Sequence, residues 1–246
     1  MNWTDEGLLL SVTPHGEKSA IIRVFTKNKG IHSGIIQNAF SKKMNCSLQP
    51  SSQLFLSWSS RLEEHLGIFK VDLIKTRADI LIRDKVGLNA FNALSSLCIS
   101  ALAERDPMSE LYNITEEFLD QIAIKKKWEF LYLEWELHLL SSIGYGLDLE
   151  KCAASGTKEN LFYISPKSGR AVSKEKGLKY DKKLLRLPDI LNNSKQNNEF
   201  NRSDLVSGLN ITGFFLDKWL NYSGQNSKSM LIRQRLIDTL SNGENT

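Results

Sequence analysis

The sequence predicts an α+β protein: a small N-terminal OB-fold β-barrel followed by a mostly helical domain. Three observations carry this expectation. Residues 7 to 77 break into five short β-rich runs separated by turn residues, with no helical period among them. From Ile80 onward the apolar spacing becomes helical and, one interruption apart, stays so. At 246 residues, 41% hydrophobic and 24% charged, the chain has ordinary globular proportions and enough length for both a barrel and a separate helical core. The predicted domains are 1–79 and 80–246, with a hairpin-like excursion at about 151–177.

The five strands are read at Gly7 to Val12, Ala20 to Thr26, Ile31 to Gln37, Gln53 to Trp58 and Gly67 to Lys75. His15-Gly16, Asn28-Lys29-Gly30 and the polar loop from Ser41 to Ser51 separate them. So many short strands in so little chain favour closure into a barrel, because an open sheet would leave edges to protect.

Ile80, Val86, Leu88, Phe91, Leu94, Leu97, Cys98, Ala101 and Leu102 then form the stripe of one core-facing helix, stopped by Asp106-Pro107. A second helix is predicted over Met108 to Ile124. A third, Trp128 to Ile143, is apolar around most of its circumference, which marks it as central, and Gly144 and Gly146 end it. Between Lys151 and Gly177 a polar, glycine-containing stretch surrounds the apolar run Leu161 to Ile164, the pattern of a hairpin. Helices return at Ser203 to Tyr222, with Ser203 as the expected cap, and at Ser229 to Leu240. Asn192 to Asn201 and the tail after Ser241, rich in Asn, Ser and Gln, are predicted to be mobile.

Composition narrows the functional classes. No run is apolar enough to span a bilayer, since Trp128 to Ile143 contains Glu129, Glu134, Glu136 and His138, and the acidic start MNWTDE lacks the basic region of a signal peptide. Cys46, Cys98 and Cys152 are odd in number and far apart, which suits a reducing compartment. A cytoplasmic location follows as the expectation. The net charge of +4 is unevenly spread. Residues 1–80 carry 10 Lys/Arg against 7 Asp/Glu (+3), residues 81–150 carry 6 against 12 (−6), and residues 151–246 carry 16 against 9 (+7). Basic ends around an acidic middle are compatible with a polyanionic partner.

No phosphate-binding glycine loop and no HExxH helix occurs, so neither nucleotide-driven nor zinc-peptidase chemistry is indicated. His15, His32, His65 and His138 are scattered, and His138, on an apolar helix, reads as a hydrogen-bonded structural residue. Cys98 reads as a small buried hydrophobe. The richer constellation lies in the barrel, where Arg23, Lys27, Lys29, Lys42, Lys43, Arg61 and Lys70 interleave with Phe25, Phe40, Phe55, Trp58 and Phe69. Cations suit phosphates and flat rings suit bases, the ingredients of a single-strand groove. Strand alternation instead turns Phe25, Phe55 and Phe69 inward to fill the barrel. Lys42 and Lys43, in a loop with no core to serve, read as functional. The candidate nucleic-acid contacts are Arg23, Lys27, Lys29, Lys42, Lys43 and Arg61.

Several segments are also familiar: DEGLLLSVTPHGEKSAIIRVFTKNKGIHSGIIQNAFSKK, LQP at 48–50, RLEEHLG at 61–67, FNAL, LYLEWELHLLSSIGYGLDLEKCAASG and YISPKSGRAVS. In this order, over nearly the whole chain, they resemble the RecO family of bacterial recombination mediators. The resemblance implies an OB-fold followed by a helical domain, binding of single- and double-stranded DNA, annealing of complementary strands, and cooperation with RecR to load RecA onto DNA coated by single-strand-binding protein. It implies no catalytic residues, no cofactor and no membrane, and a nucleoid-associated cytoplasmic site of action. A metal-dependent nuclease and a protein-only adaptor are the alternatives.

Many members of that family hold zinc through two CxxC pairs around a hairpin. The corresponding positions here are Cys152 and Ser155, then Ser173 and Lys176, so the hairpin resembles a degenerate zinc finger without its thiolates. No metal is expected there. The resemblance also implies a site for the acidic, apolar-ended tail of single-strand-binding protein. Such a peptide needs an apolar pocket rimmed by cations, and Phe215, Lys218, Arg233 and Arg235 of the C-terminal helices are the candidates.

Overall fold

A computed structural model describes residues 1–62, 64–124, 128–192, 201–224 and 228–242, which form two compact units: residues 1–128 with 231–233, and residues 129–230 with 234–246. The stretches 193–200 and 243–246, predicted above as mobile, lie outside the described residues.

The first unit begins with β1 (Asn2–His15), β2 (Ser19–Thr26), β3 (Gly30–Ile36), α1 (Lys42–Ser47), β4 (Gln53–Ser59) and β5 (Ile68–Lys75). The strands close in the order β1-β2-β3-β5-β4. Neighbours are antiparallel except β3 and β5, which meet in parallel through Ile35 and Ile68. Strand β1 is longer than predicted because it serves two partners: Asn2 to Leu8 pair with β4, and Gly7 to His15 pair with β2 across a register shift between Leu9 and Ser11. Its polar start escaped the alternation test. There the Asp5 carboxylate is buried and accepts from the backbone and side-chain amides of Asn28, at 2.7 and 2.9 Å, in place of an apolar contact.

Alternate positions fill the barrel with Leu9, Ala20, Ile22, Val24, Leu54, Leu56, Trp58 and Phe69. Phe69 thus points inward as predicted. Phe25 and Phe55 do not, because each has the opposite parity to its inward neighbours, Val24 and Leu54 or Leu56. Phe25 is buried from outside by Tyr112, ring edge to face at 5.5 Å, and Phe55 is 43% exposed. The Ser41–Ser51 segment also differs from its reading as a loop with no core to serve. It contains α1, capped by Ser41 Oγ, which accepts from the Met44 amide, and its Met44 and Leu48 pack onto the barrel core. The segment that seemed to serve no core plugs one end of it.

The helix expected from Ile80 to Leu102 is two helices, α2 (Ala78–Arg83) and α3 (Lys85–Ala101). Asp84 separates them: its backbone is extended, and its carboxylate accepts from the amides of Val86 and Gly87, competing with helix continuation. Helix α3 buries Phe91, Leu94, Leu97 and Cys98, and Ser95 Oγ donates to Leu10 O at 2.8 Å, fixing it against the outer face of β1. Burial pushes the Cys98 thiol pKa far up, so it acts as the hydrophobe expected. Helix α4 (Ser109–Ala123) completes the unit, its Leu111, Tyr112, Phe118, Leu119 and Ile122 at helical spacing.

The second unit is built on α5 (Trp128–Ser142), which buries Tyr132, Leu133, Trp135, Leu139 and Leu140 and ends at Gly144, whose φ of +79° suits glycine. The hairpin follows, as β6 (Leu161–Ile164) and β7 (Ala171–Ser173), then the single turn α6 (Lys174–Gly177), a 3-10 stretch and β8 (Leu185–Arg186), which joins the other side of β6. The last helices are α7 (Arg202–Tyr222) and α8 (Lys228–Asn242). Asn201 rather than Ser203 caps α7, in a reciprocal box with Asp204. In the core of this unit Glu136 of α5 is fully buried and accepts from Thr212 Oγ1 of α7. His138, read as a hydrogen-bonded structural residue, is exposed.

Candidate nucleic-acid interface

Strand β2 runs along the barrel from the β1–β2 turn to the β2–β3 turn, and five of the six candidate cations, all but Arg61, fall at its ends and its middle. Lys27 and Lys29 are exposed in the β2–β3 turn. Thr26 Oγ1 braces that turn, donating to Gly30 O at 2.9 Å and accepting from the Lys29 amide at 3.0 Å. Gly30 has φ +66°, and a Cβ there would stand 2.1 Å from Asp106 O, so only glycine closes it. Arg61 is exposed in the loop after β4. The same loop is held to this end of the barrel by Arg105, whose Nη2 donates to His65 O at 3.3 Å while its amide donates to Ile31 O at 2.9 Å.

Lys42 and Lys43 stand exposed at the opposite end, on α1, where the Ala39 amide donates to Lys18 O and brings Lys18 into the same group. Arg23 is exposed between them, flanked by Ser11 on β1 and Ser33 on β3. With 8 residues in β2, the two groups are roughly 25 Å apart. The structure therefore unites Lys27 and Lys29 at one end of β2, unites Lys42 and Lys43 at the other, leaves Arg23 between them, and puts Arg61 in the loop after β4. Arg105 and Lys18 were missed, since nothing in local sequence brings residue 105 beside a barrel turn.

The face formed by β1, β4 and β5 has another character. Lys70 lines a hollow of about 400 Å³ with Asn2, Thr4, Ser57 and Ser59, but one pair further along Phe55 sits between Glu6 and Asp72. Two carboxylates beside the ring are poor neighbours for a phosphate chain. The barrel end near Lys29 is closed by Trp3 stacked on Trp58 at 5.6 Å, with the His32 ring edge-on to both. His32 is 4% exposed, and neither ring nitrogen has a hydrogen-bond partner among the described residues. Burial first, then Arg105, lowers its pKa to about 4.

A second basic surface lies on the hairpin. Lys174, Lys176, Lys179, Lys182, Lys183 and Arg186 are all exposed, against Glu175 and Asp181 as the acidic residues of the same stretch. The Phe162 ring supports it, with Arg186 at 4.2 Å and Lys174 at 5.2 Å from its centroid. Beside this surface Cys152 is buried, and its Sγ accepts from the Ser173 amide at 3.2 Å. Burial opposes ionisation of the thiol, but hydrogen bonds from Ser155 and Ser173 outweigh it and hold the pKa at about 6. Ser155, Ser173 and Lys176 line one hollow, so the fold gathers the positions that the resemblance equated with zinc ligands. A single thiolate with hydroxyl and ammonium neighbours does not suit zinc, and among the described residues no group of three His, Cys, Asp or Glu is placed to hold a metal ion.

Of the residues put forward for a peptide site, Phe215 is buried and lines a hollow of about 210 Å³ with Lys218, Lys167, Tyr145 and the backbone of Gly144, Gly146 and Gly169. Lys218 Nζ donates to Pro166 O at 2.9 Å and Lys167 O at 3.3 Å. Arg235 is exposed. Arg233 corrects its expectation: it is 2% exposed, because it shares the buried face of α8 with Leu236, Ile237 and Leu240, three, four and seven residues on. Nearness to a chain end does not keep a side chain at the surface.

A closed barrel bearing exposed cations suits a nucleic-acid partner, and the relatives of the chain supply the class, that of DNA recombination and repair proteins. Residues 1–77 match the family described as recombination protein O N terminal, and residues 85–228 match recombination protein O C terminal. The chain is 40% identical over 240 residues to the DNA repair protein RecO of Ruegeria sp. (strain TM1040), covering 98% of each. It is 38% identical over 241 residues to that of Dinoroseobacter shibae, with 98% of each covered, and 39% identical over 216 residues to that of Bradyrhizobium sp. (strain ORS 278), covering 88% and 87%. The chain belongs to the RecO family of DNA repair proteins. Among the described residues no helix is long and apolar enough to cross a membrane.

Proposed function

We propose that the protein binds DNA through an OB-type barrel (residues 1–79), anneals complementary strands, and acts with RecR to load RecA onto DNA covered by single-strand-binding protein. The observation that carries this is the line of exposed cations along β2, from Lys27 and Lys29 through Arg23 to Lys42 and Lys43. Such a line tracks a phosphate backbone and reads no bases, as a mediator that works on any sequence requires. The Lys174 to Arg186 surface, in the helical domain (residues 80–246), would hold a second strand for annealing. No nucleophile–base pair is part of this reading, and no cofactor.

The same reading gives the hairpin the form of a zinc finger that has exchanged its thiolates for hydrogen bonds around Cys152. It also assigns the acidic tail of single-strand-binding protein to the Phe215 hollow, which Lys167 and Lys218 line, with Arg235 of α8 as a further cationic contact. The Gly146 amide suits a terminal carboxylate, whereas those of Gly144 and Gly169 already donate to Ser141 O and Ser165 O. Such a protein acts in the cytoplasm, at the nucleoid.

Binding of labelled single-stranded DNA across a salt series, with and without RecR, tests the proposal. Salt-dependent binding that RecR modifies is the expected result. Binding that ignores salt would remove the phosphate-tracking role, and degradation of the DNA in Mg²⁺ would replace it with the nuclease alternative.

A further inference from the structure

One hollow of the second unit has an acidic lining, opposite in charge to the basic surface of the hairpin. Its volume is about 790 Å³. Its floor is one face of α5, where Phe130, Leu133, Leu137 and Ser141 recur at helical spacing, and Glu134 stands at its rim. One wall is Leu147, Leu149 and Glu150, in a segment held in place by backbone hydrogen bonds of Asp148 with Gly169 and Ala171. The other wall is Ile190 and Leu191. Gly208 of α7 packs directly behind, where a Cβ would stand 2.7 Å from Leu133 and 3.0 Å from Ile190, so the apolar walls are backed by a close helix contact.

Two features make this a groove for a ligand rather than a gap in packing. Helix α5 is apolar around most of its circumference, yet Phe130, Leu137, Leu147 and Ile190 stay partly exposed where they line the hollow, which leaves apolar surface uncovered. The charged residues of its lining are Glu134, Asp148 and Glu150, with no Lys or Arg. Asp148 is paired with Arg170 at 3.1 Å, but neither Glu134 nor Glu150 has an ion-pair partner among the described residues, and both are exposed. An apolar floor beneath unpaired carboxylates repels nucleic acid and acidic peptides, and complements a segment carrying leucine-like side chains on one face and cations beside them.

We propose that this groove docks a cationic amphipathic helix of a partner protein. Glu134 and Glu150 would meet the partner's cations, while Phe130, Leu133, Leu137, Leu147 and Ile190 take its apolar side chains. A fluorescently labelled Leu/Lys helical peptide and a Leu/Glu peptide of identical apolar spacing, titrated against the full chain, test this. The Lys peptide should bind and the Glu peptide should not. Glu134→Lys combined with Glu150→Lys should weaken the Lys peptide by about tenfold or more and confer binding of the Glu peptide. Glu110→Lys with Glu117→Lys, on exposed positions of α4, controls for general acidity and should leave Lys-peptide affinity unchanged. Equal binding of both peptides, equal effects of the two double variants, or a groove variant that alters self-association but not peptide binding would overturn the proposal. The readout does not involve DNA, so it stands or fails independently of the proposed annealing role.

Discussion

Arg77 and Glu116 form a buried ion pair, Nη2 to Oε2 at 2.7 Å, in which the Arg77 side chain is 1% exposed. Arg77 also donates from Nε to Asp120 at 2.7 Å and from Nη1 to Ser51 O at 3.3 Å, and Asp120 accepts from Lys75. One guanidinium thus ties the end of β5, the approach to β4 and helix α4 together. Burial raises the Glu116 pKa and Arg77 works against it. At Asp120 burial is outweighed by the hydrogen bonds from Lys75 and Arg77, which lower its pKa. Removing one partner strands a charge, so Arg77→Ala should cost about 3–5 kcal/mol in urea unfolding. Glu116→Gln, which keeps a hydrogen-bond acceptor, should cost clearly less, and the reverse order would show that Arg77 is not anchored by this pair.

His32 gives a pH dependence with a definite sign. Its pKa of about 4 in the folded chain lies below the ordinary 6.5, so its contribution is complete above about pH 6.5 and is lost as pH falls toward 4. Against His32→Phe, the wild type should lose up to about 3 kcal/mol of relative stability over that interval. Parallel stability curves for the two proteins between pH 4 and 7 would contradict this.

The two cation groups at the ends of β2 should contribute separately to DNA binding. Lys27→Glu with Lys29→Glu, and Lys42→Glu with Lys43→Glu, should each flatten the log–log salt slope for single strands by about 1.4, at roughly 0.7 per phosphate contact. If four phosphates are neutralised in the wild type, its slope is about −3. An unchanged slope in either double variant removes that end from the interface.

Purified protein should carry no stoichiometric zinc by elemental analysis. Because the fold already gathers Cys152, Ser155 and Ser173 beside the start of α6, the triple variant Ser155→Cys, Ser173→Cys, Lys176→Cys should take up one zinc per chain and gain thermal stability. Zinc in the wild type after exhaustive dialysis, or none in the triple variant, would refute this account of the hairpin.

For the acidic-tail site, Lys167→Ala with Arg235→Ala should weaken an isolated tail peptide by roughly 1–3 kcal/mol while leaving annealing of naked DNA largely intact. Arg233→Ala should instead lower stability, since that side chain is buried. A peptide affinity that responds to Arg233 alone, in a variant of unchanged stability, would reverse the assignment.

The sequence by itself determined what local periodicity can express. Alternating residues located β2 to β5, the 3.6-residue stripe located α4 and α5, and Gly144 marked the end of α5, because each signal depends on neighbours within a turn or a strand pair. Ordered motifs along the chain determined the family. Tertiary structure alone decided which side of a wall each residue faces. Phe25 and Phe69 look alike in sequence, yet parity within the closed barrel sends one outward under Tyr112 and the other inward. Lys42 and Lys43 sat in an apparently idle loop until Met44 and Leu48 were seen to plug the barrel. Arg233 looked like a surface charge, and Arg105 looked like nothing in particular. Burial and long-range charge contacts follow from where distant elements meet, and no window of consecutive residues carries that information.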